Sequence, residues 1–243
     1  MKSCARRFWR RWNKREAASE RYAQRVSEAM QRLLLIDTCG ETAGVALCLG
    51  QQVLAVEDFV AGDASARIVA AVRQLLQQLG WGRAELDAVG VVAGPGSFTG
   101  VRTGLAAARG FCEAASLRFA AVSRLAVLAD VAAVAEGFAV LDAGRGEFYV
   151  RDVSSACEWL CTLDEFPELV SGTVVVAEPR VAERLMARRP LLYPLHVGDA
   201  LPEVLRCLAV GGSDVALVEA NYVRGEQNIY AKPSVGSSRW KSQ

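Results

Sequence analysis

Apolar residues near the start of the sequence fall into three short runs that turn residues separate. The runs cover residues 33–38, 44–49 and 52–59, and the first is apolar without interruption up to Ile36. A continuous apolar run is typical of a strand buried on both faces. Because a parallel return needs about a dozen residues or more, the three strands are predicted to pair as antiparallel hairpins.

Helical spacing of apolar residues begins at residue 64 and predicts a helix over 64–79. Asp63 or Ser65 is expected to cap its start and Gly80 to end it. The pattern then predicts a strand over 87–93, a helix over 99–115, a strand over 118–122 and a helix capped by Ser123 that reaches about residue 133. This order favours a mixed sheet whose later strands are joined by helical crossovers.

A hairpin opens the second half of the chain and marks a second, smaller lobe. The runs 137–142 and 147–153 flank a turn over 143–146 that holds two glycines. Further patterns predict a strand over 174–177 and helices over 179–188 and 201–208. Beyond Arg224 the apolar pattern fades, and residues 225–243 are predicted to be a flexible tail.

Positive charge is concentrated at the beginning of the sequence. Residues 1–32 hold ten Lys and Arg and three acids, whereas residues 33–243 hold 18 basic and 24 acidic side chains, a net charge of −6. Because phosphate neutralisation needs clustered Lys and Arg, the body is not expected to bind nucleic acid alone. The extension over 1–30 is interpreted as an organelle presequence, as a surface-binding helix, or as untranslated, with the start at Met30.

Cysteines, histidine and hydropathy restrict the chemistry. The seven cysteines include no Cys-x-x-Cys pair, which favours buried thiols in a reducing cytoplasm. His196 is the only histidine, so a His-rich zinc site is excluded and a Ser-His-Asp triad has one residue to draw on. No apolar run approaches the ~20 residues that span a bilayer, so no membrane segment is expected.

The densest signal is a glycine-rich segment between a predicted strand and a helix. It comprises Gly94, Pro95, Gly96, Ser97, Phe98, Thr99, Gly100 and Arg102. A helix N-terminus can bind an anion, but Thr99 stands where a dinucleotide loop has its third glycine, and no Lys-Ser/Thr pair follows Gly100. Ser97 is expected to cap the helix, and the segment is interpreted as a structural and interface determinant without a catalytic residue.

Small residues continue along that helix. Gly100, Thr103, Gly104 and Ala107 lie on adjoining helical faces, where small side chains let another helix or a sheet approach closely. Packing inside the fold and contact with a partner both account for this pattern.

These residues resemble the TsaB family, also called YeaZ. The likeness spans about residues 31–224 and is carried by Leu34–Thr38, the segment Gly94–Arg102, Ser123, Asp142–Ala143 before Glu147–Tyr149, and Tyr222–Arg224. Three positions depart from the family. They are Ala64, where it has His, Gly144, where it commonly has Arg (here Arg145, one place later), and Ala220, where it often has Pro.

The resemblance implies a two-lobed α/β fold of the actin, hexokinase and heat-shock ATPase type, with ribonuclease H-like mixed sheets. The first lobe would cover 31–133 and the second 134–224. The family's role is that of a non-catalytic scaffold that acts with a TsaD-type transferase and a TsaE-type ATPase. Together they install threonylcarbamoyl on the adenosine next to the anticodon of tRNAs reading codons that begin with A.

Expectations about ligands and partners follow from the same resemblance. No cofactor or metal of the chain's own is expected, since the partner subunits handle ATP, ADP and metal, and tRNA is met only within the complex. Without TsaD, the chain is expected to pair with a second copy. The predicted partner surface lies on the helices 64–79 and 99–115 and comprises Ile68, Val72, Leu75, Leu76, Gly100, Thr103, Gly104 and Ala107.

Two other functions compete with the scaffold. An ATP-dependent phosphotransferase or hydrolase would use Asp37 to orient Mg²⁺, the turn 142–146 over the phosphates and Gly211–Gly212 near the adenine. However, Asp37 also suits a turn-ordering role, and residues 33–231 contain no lysine to clamp a phosphate. A protease is disfavoured because Ser97 is not in a Gly-x-Ser-x-Gly elbow.

Overall fold

The computed structural model describes residues 31–166, 170 and 172–221. The basic extension, the predicted tail and the family residues Tyr222–Arg224 lie outside the described residues. The described residues form two lobes, each built on a five-stranded sheet.

The first sheet has the strand order β3-β2-β1-β4-β5. Its strands are β1 (Arg32–Asp37), β2 (Thr42–Leu49), β3 (Gln52–Val60), β4 (Ala88–Val92) and β5 (Arg118–Val122). The first three strands pair antiparallel, as their short connections predict, whereas β4 and β5 extend the sheet in parallel.

The second sheet repeats this topology. Its strands are β6 (Phe138–Gly144), β7 (Glu147–Asp152), β8 (Glu158–Thr162), β9 (Val174–Val176) and β10 (Leu191–Leu192). Read from β8, the order is three antiparallel strands followed by two parallel ones. The duplication confirms the predicted fold class of two ribonuclease H-like lobes. The sequence pattern missed β8 and β10, and β10 consists of only two exposed leucines.

In the described residues, five α-helices connect and cover the sheets. They are α1 (Ala64–Leu79), α2 (Phe98–Ala115), α3 (Arg124–Ala132), α4 (Pro179–Arg184) and α5 (Leu201–Ala209). Gly80 ends α1 in a left-handed conformation with φ 67°, as predicted. The helix predicted over 179–188 is shorter, because a separate 3₁₀ turn, Met186–Arg188, follows α4. In the described part of the chain, no helix is long and apolar enough to cross a membrane.

Helices cover both faces of the first sheet. Gly104 of α2 lies against Ile36 and Val91, whereas Val204 of α5 lies over Leu35 and Gly90 on the other face. Successive strand residues point to opposite faces. This double cover is why β1 is apolar at every position from Leu33 to Ile36.

The residues after β10 return to the first lobe. Val197, Leu201, Val204 and Leu208 belong to the core of the first sheet. The predicted second lobe, which ran to residue 224, therefore includes a segment that the structure assigns to the first lobe. Helix α3 lies between the lobes, with Val127 in the first core and Leu128 in the second.

Candidate functional site

The glycine-rich segment fastens α2 to the end of β1. Ser97 caps α2, since its Oγ accepts a hydrogen bond from the Gly100 N–H at 3.3 Å, as predicted. The Ser97 N–H donates to the Cys39 carbonyl at 2.9 Å, and the Thr38 hydroxyl donates to the Gly100 carbonyl at 2.6 Å. These bonds join the turn after β1 to the first turn of α2.

Two glycines are required by this close approach. A Cβ at Gly100 would lie 1.9 Å from the Thr38 carbonyl oxygen, and a Cβ at Gly96 would lie 2.4 Å from the Cys39 carbonyl oxygen. Neither position has room for a side chain. At these two sites the absence of a side chain serves packing inside the fold.

Burial corrects the predicted partner surface. Ile68, Val72, Leu75 and Leu76 are 2–4% exposed and lie in the core of the first lobe, and Gly100 and Gly104 press against Thr38. Side chains covered by their own sheet cannot contact a partner while the chain is folded. Thr103 and Ala107 are half-buried, so their interface role stays a prediction.

A different set of residues on the same two helices faces outward. We define the outer helix face as the exposed residues Ala66, Val69, Ala70 and Arg73 of α1 and Arg102, Ala106 and Gly110 of α2. Val69 is 62% exposed. At the start of α2, the Arg102 guanidinium lies 3.6 Å from the centroid of the exposed Phe98 ring. The outer helix face thus combines small residues, one apolar side chain and arginines.

A cleft of about 530 Å³ separates the lobes. It is lined by the turn 39–41, the loop 96–98, the start of α3, the hairpin 142–145 and the start of α4. Asp37 stands behind the turn, where its carboxylate accepts a hydrogen bond from the Cys39 N–H at 2.8 Å. This bond confirms the predicted turn-ordering role of Asp37.

A buried ion pair crosses the cleft between α3 and the start of α4. Arg124 Nη1 lies 2.7 Å from Glu178 Oε1, with side chains 8% and 13% exposed. Burial by itself lowers the pKa of Arg124, but the negative charges of Glu178 and Asp37 outweigh it, so the pKa is raised. The Arg124 guanidinium is therefore charged, and Glu178 is the carboxylate that lies against it.

A second arginine bridges the lobes in a more exposed position. Arg180 lies 3.0 Å from Glu41 in the first lobe and 3.3 Å from Asp142 in the second. Arg184 also pairs with Asp142, at 3.0 Å. Asp142 belongs to the turn 142–146, which a phosphotransferase would place over the phosphates. In this structure, arginines of the same lobe pair with that turn. Gly211–Gly212 follow α5 and do not line the cleft.

Sequence reasoning missed Glu158, which joins three parts of the molecule. Its carboxylate accepts hydrogen bonds from Ser123 Oγ at 2.5 Å, Arg151 Nη1 at 2.8 Å and Asn221 Nδ2 at 3.0 Å. Ser123 was predicted to cap α3. It occupies the N-cap position, but its side chain makes no capping bond. Glu158 was missed because it lies in the short strand β8, which the sequence pattern did not predict.

The described residues offer little support for metal binding or for thiol chemistry. Within the described ranges, no group of three or more His, Cys, Asp or Glu side chains could hold a metal ion. Burial raises the pKa of Cys48 and of Cys161 to about 12. Both thiols are therefore protonated and unreactive at neutral pH.

Sequence comparison matches the chain to proteins of tRNA modification. A family model described as TsaD, tRNA N6-adenosine threonylcarbamoyltransferase, matches residues 59–168. The tRNA threonylcarbamoyladenosine biosynthesis protein TsaB of Escherichia coli is 35% identical over 122 residues, 49% of this chain and 53% of that protein. TsaB of Bacillus subtilis is 33% identical over 120 residues, 48% of this chain and 52% of that protein. The chain thus spans about half the length of these curated relatives.

Structural comparison covers more of the chain. The solved structure of YeaZ from Pseudomonas aeruginosa has 27% sequence identity to this chain and a TM-score of 0.65, and the match covers 79% of this chain and all of that one. A second structure, of a protein with similarity to peptidase YEAZ from the same organism, has 26% identity and a TM-score of 0.66. The chain is thus similar in sequence and in structure to TsaB (YeaZ) proteins. The segment 94–102, which carries the resemblance to these proteins in the sequence, holds the two glycines that join α2 to the end of β1.

Proposed function

We propose that the chain is a non-catalytic scaffold subunit in the biosynthesis of threonylcarbamoyladenosine on tRNA. Its relatives carry this pathway in their names. In this proposal, the outer helix face binds a TsaD-type transferase, and a TsaE-type ATPase joins the complex. The proposal places the chain in the cytoplasm, where it meets tRNA only as part of the assembly.

The main support for this proposal is the composition of the outer helix face. Val69 projects from a stripe that otherwise presents Ala66 and Ala70, and Ala106 and Gly110 lie on the neighbouring helix. Exposed small residues let the backbone of a partner helix approach closely, which brings many atoms into contact. The buried residues beneath keep both helices fixed on the sheet.

The geometry of the cleft supports a role without catalysis. Ser97 is used as a helix cap, Asp37 orders its own turn and Asp142 is held by two arginines. Helix α1 contains no histidine that could hold a metal ion. We therefore assign ATP, ADP and metal to the partner subunits.

Blocking the outer helix face tests the docking site. Ala106→Trp places a large side chain at an exposed position of α2, and we expect it to weaken binding to the TsaD-type transferase of the same organism by at least about tenfold, measured by calorimetry. The matched control is Ala209→Trp at the exposed end of α5. If both variants bind like the parent chain, the docking site is wrong.

The phosphotransferase or hydrolase remains the competing function because the cleft is large enough for a small molecule. It makes a different prediction for the chain alone. ATP turnover by the isolated chain, unaffected by the transferase, would replace the scaffold proposal.

A further inference from the structure

The last described part of the chain runs along the first lobe as a surface segment. We define the strap as residues 213–221, which come three residues after α5. The Ser213 N–H donates to the Phe119 carbonyl at 2.7 Å, and Ser213 Oγ accepts a hydrogen bond from the Ala121 N–H at 3.1 Å. The strap therefore begins by covering the outer edge of β5, and further along it Val218 packs against the first core.

The last residue of the strap contacts both lobes. The Asn221 N–H donates to the Ala93 carbonyl at 2.7 Å, directly after β4. Its side-chain Nδ2 donates to Glu158 Oε2 at 3.0 Å, at the start of β8 in the second sheet. A Cβ at Gly94 would lie 3.1 Å from the Asn221 carbonyl oxygen. Asn221 thus lies where the first sheet, the glycine-rich segment and the second lobe meet.

Glu158 is placed to hold this contact. Its side chain is 15% exposed, and its charge is paired with Arg151 at 2.8 Å. Arg151 and Ser123 both donate to Oε1, whereas Oε2 accepts from Asn221 within the described residues. A mostly buried carboxylate oxygen that loses its donor is unfavourable, because water replaces the donor only in part. The bond from Asn221 therefore holds the strap against β8 more firmly than an exposed surface ion pair would.

Two short connections join the lobes in the described part of the chain. They are residues 133–137 between α3 and β6 and residues 193–196 after β10, and hinge motions occur at such connections. A rotation of the second lobe about them moves β8 relative to the strap, which remains on the first lobe. We propose that the hydrogen bond between Asn221 and Glu158 is the releasable link by which the strap sets the opening of the cleft. The inference concerns this chain alone and does not rest on the scaffold role.

Charge repulsion at residue 221 tests this inference by amide hydrogen exchange. In the full chain, Asn221→Asp puts a second carboxylate beside Glu158, and like charges repel. We expect the amide hydrogens of residue 221 and of Arg124 to exchange at least about tenfold faster than in the parent chain. The Arg124 amide reports on the lobes because it donates from the start of α3 to the Gly94 carbonyl at 2.7 Å. Gln52→Glu is the matched control, since it makes the same change at an exposed position of β3, and it should leave both rates unchanged.

A double variant and a core amide complete the test. Asn221→Asp combined with Glu158→Gln exchanges the amide and the carboxylate, so a donor again faces an acceptor, and the exchange rates should return toward those of the parent chain. If Asn221→Asp accelerates residue 221 but leaves Arg124 at the parent rate, the strap does not hold the second lobe and the inference is wrong.

Two further results would also overturn it. One is a double variant that exchanges as fast as Asn221→Asp. The other is an equal acceleration at Leu34 in the middle of the first sheet, which would mean global destabilisation instead of release of the strap. If Asn221→Asp does not fold, Asn221→Ala takes its place, because it removes the donor without adding a charge, and the same outcomes apply.

Discussion

Gly100 occupies the closest approach between α2 and the end of β1. From the sequence, a glycine here fits internal packing or a partner helix, whereas the spacing of the loop disfavours phosphate binding. The structure favours internal packing, because the Thr38 carbonyl oxygen fills the space that a side chain would need. Composition and spacing cannot make this distinction, since the contacting residue comes from a strand far earlier in the chain.

Two glycines of α2 provide a matched test at this scale. Gly100→Ala should destabilise the protein by roughly 3 kcal/mol, because the backbone must move to relieve the clash. Gly110→Ala has open space around its Cβ, and it should stabilise the protein by about 0.5–1 kcal/mol through helix propensity. Urea denaturation measures both changes. Equal effects would show that α2 does not pack against Thr38 as described.

Helix α1 shows what a hydrophobic period can predict for an element. Its bounds agree with the predicted 64–79, because Ile68, Val72 and Leu75 recur at helical spacing. The period identifies the apolar side of the helix but not what covers it, so the same residues were assigned to a partner when they contact the chain's own sheet. The same ambiguity placed α5 in the wrong lobe.

Strand β8 is an element that the sequence pattern did not predict. Its residues are mostly half-buried and follow no clear alternation, so the sequence offered little signal for it. As a result, Glu158 was missed and the role of Ser123 was misassigned. A site that combines residues from distant elements can include an edge strand such as β8. Local sequence patterns do not reveal such a strand.

A double-mutant cycle tests the bond between the start of α3 and β8. Ser123→Ala and Glu158→Ala should each destabilise the protein, and the double variant should cost less than their sum by about 1 kcal/mol, because each single change already removes the hydrogen bond between the two side chains. The free energy of unfolding of the four proteins gives the coupling. Additive effects would mean that Ser123 does not bond to Glu158.

At the scale of the whole molecule, the lobes are held together by contacts that sequence reasoning did not foresee. Two sheets of equal topology were expected from the family resemblance, and the structure has them. The return of the chain to the first lobe and the ion pairs across the cleft were not expected. Arg124 and Glu178 come from separate lobes, so only the folded arrangement brings them together.

The two ion pairs across the cleft should differ in strength. Arg124→Met leaves Glu178 as a buried charge without its partner and should cost about 3–5 kcal/mol. Arg180→Ala removes a half-exposed arginine from its pairs with the exposed Glu41 and with Asp142, which keeps its pair with Arg184. This change should cost less than about 1 kcal/mol. Thermal and urea unfolding test the order. A larger loss for Arg180→Ala would contradict the description of the cleft.

The scaffold role is the central claim, and a reconstituted modification assay tests it most directly. The reaction would contain tRNA, ATP, bicarbonate, threonine, the enzyme that makes the threonylcarbamoyl adenylate, and the TsaD-type and TsaE-type proteins of the same organism. The account predicts that threonylcarbamoyladenosine forms only when this chain is added, and that the chain alone does not hydrolyse ATP. Equal product without the chain, or ATP turnover by the chain alone, would contradict it.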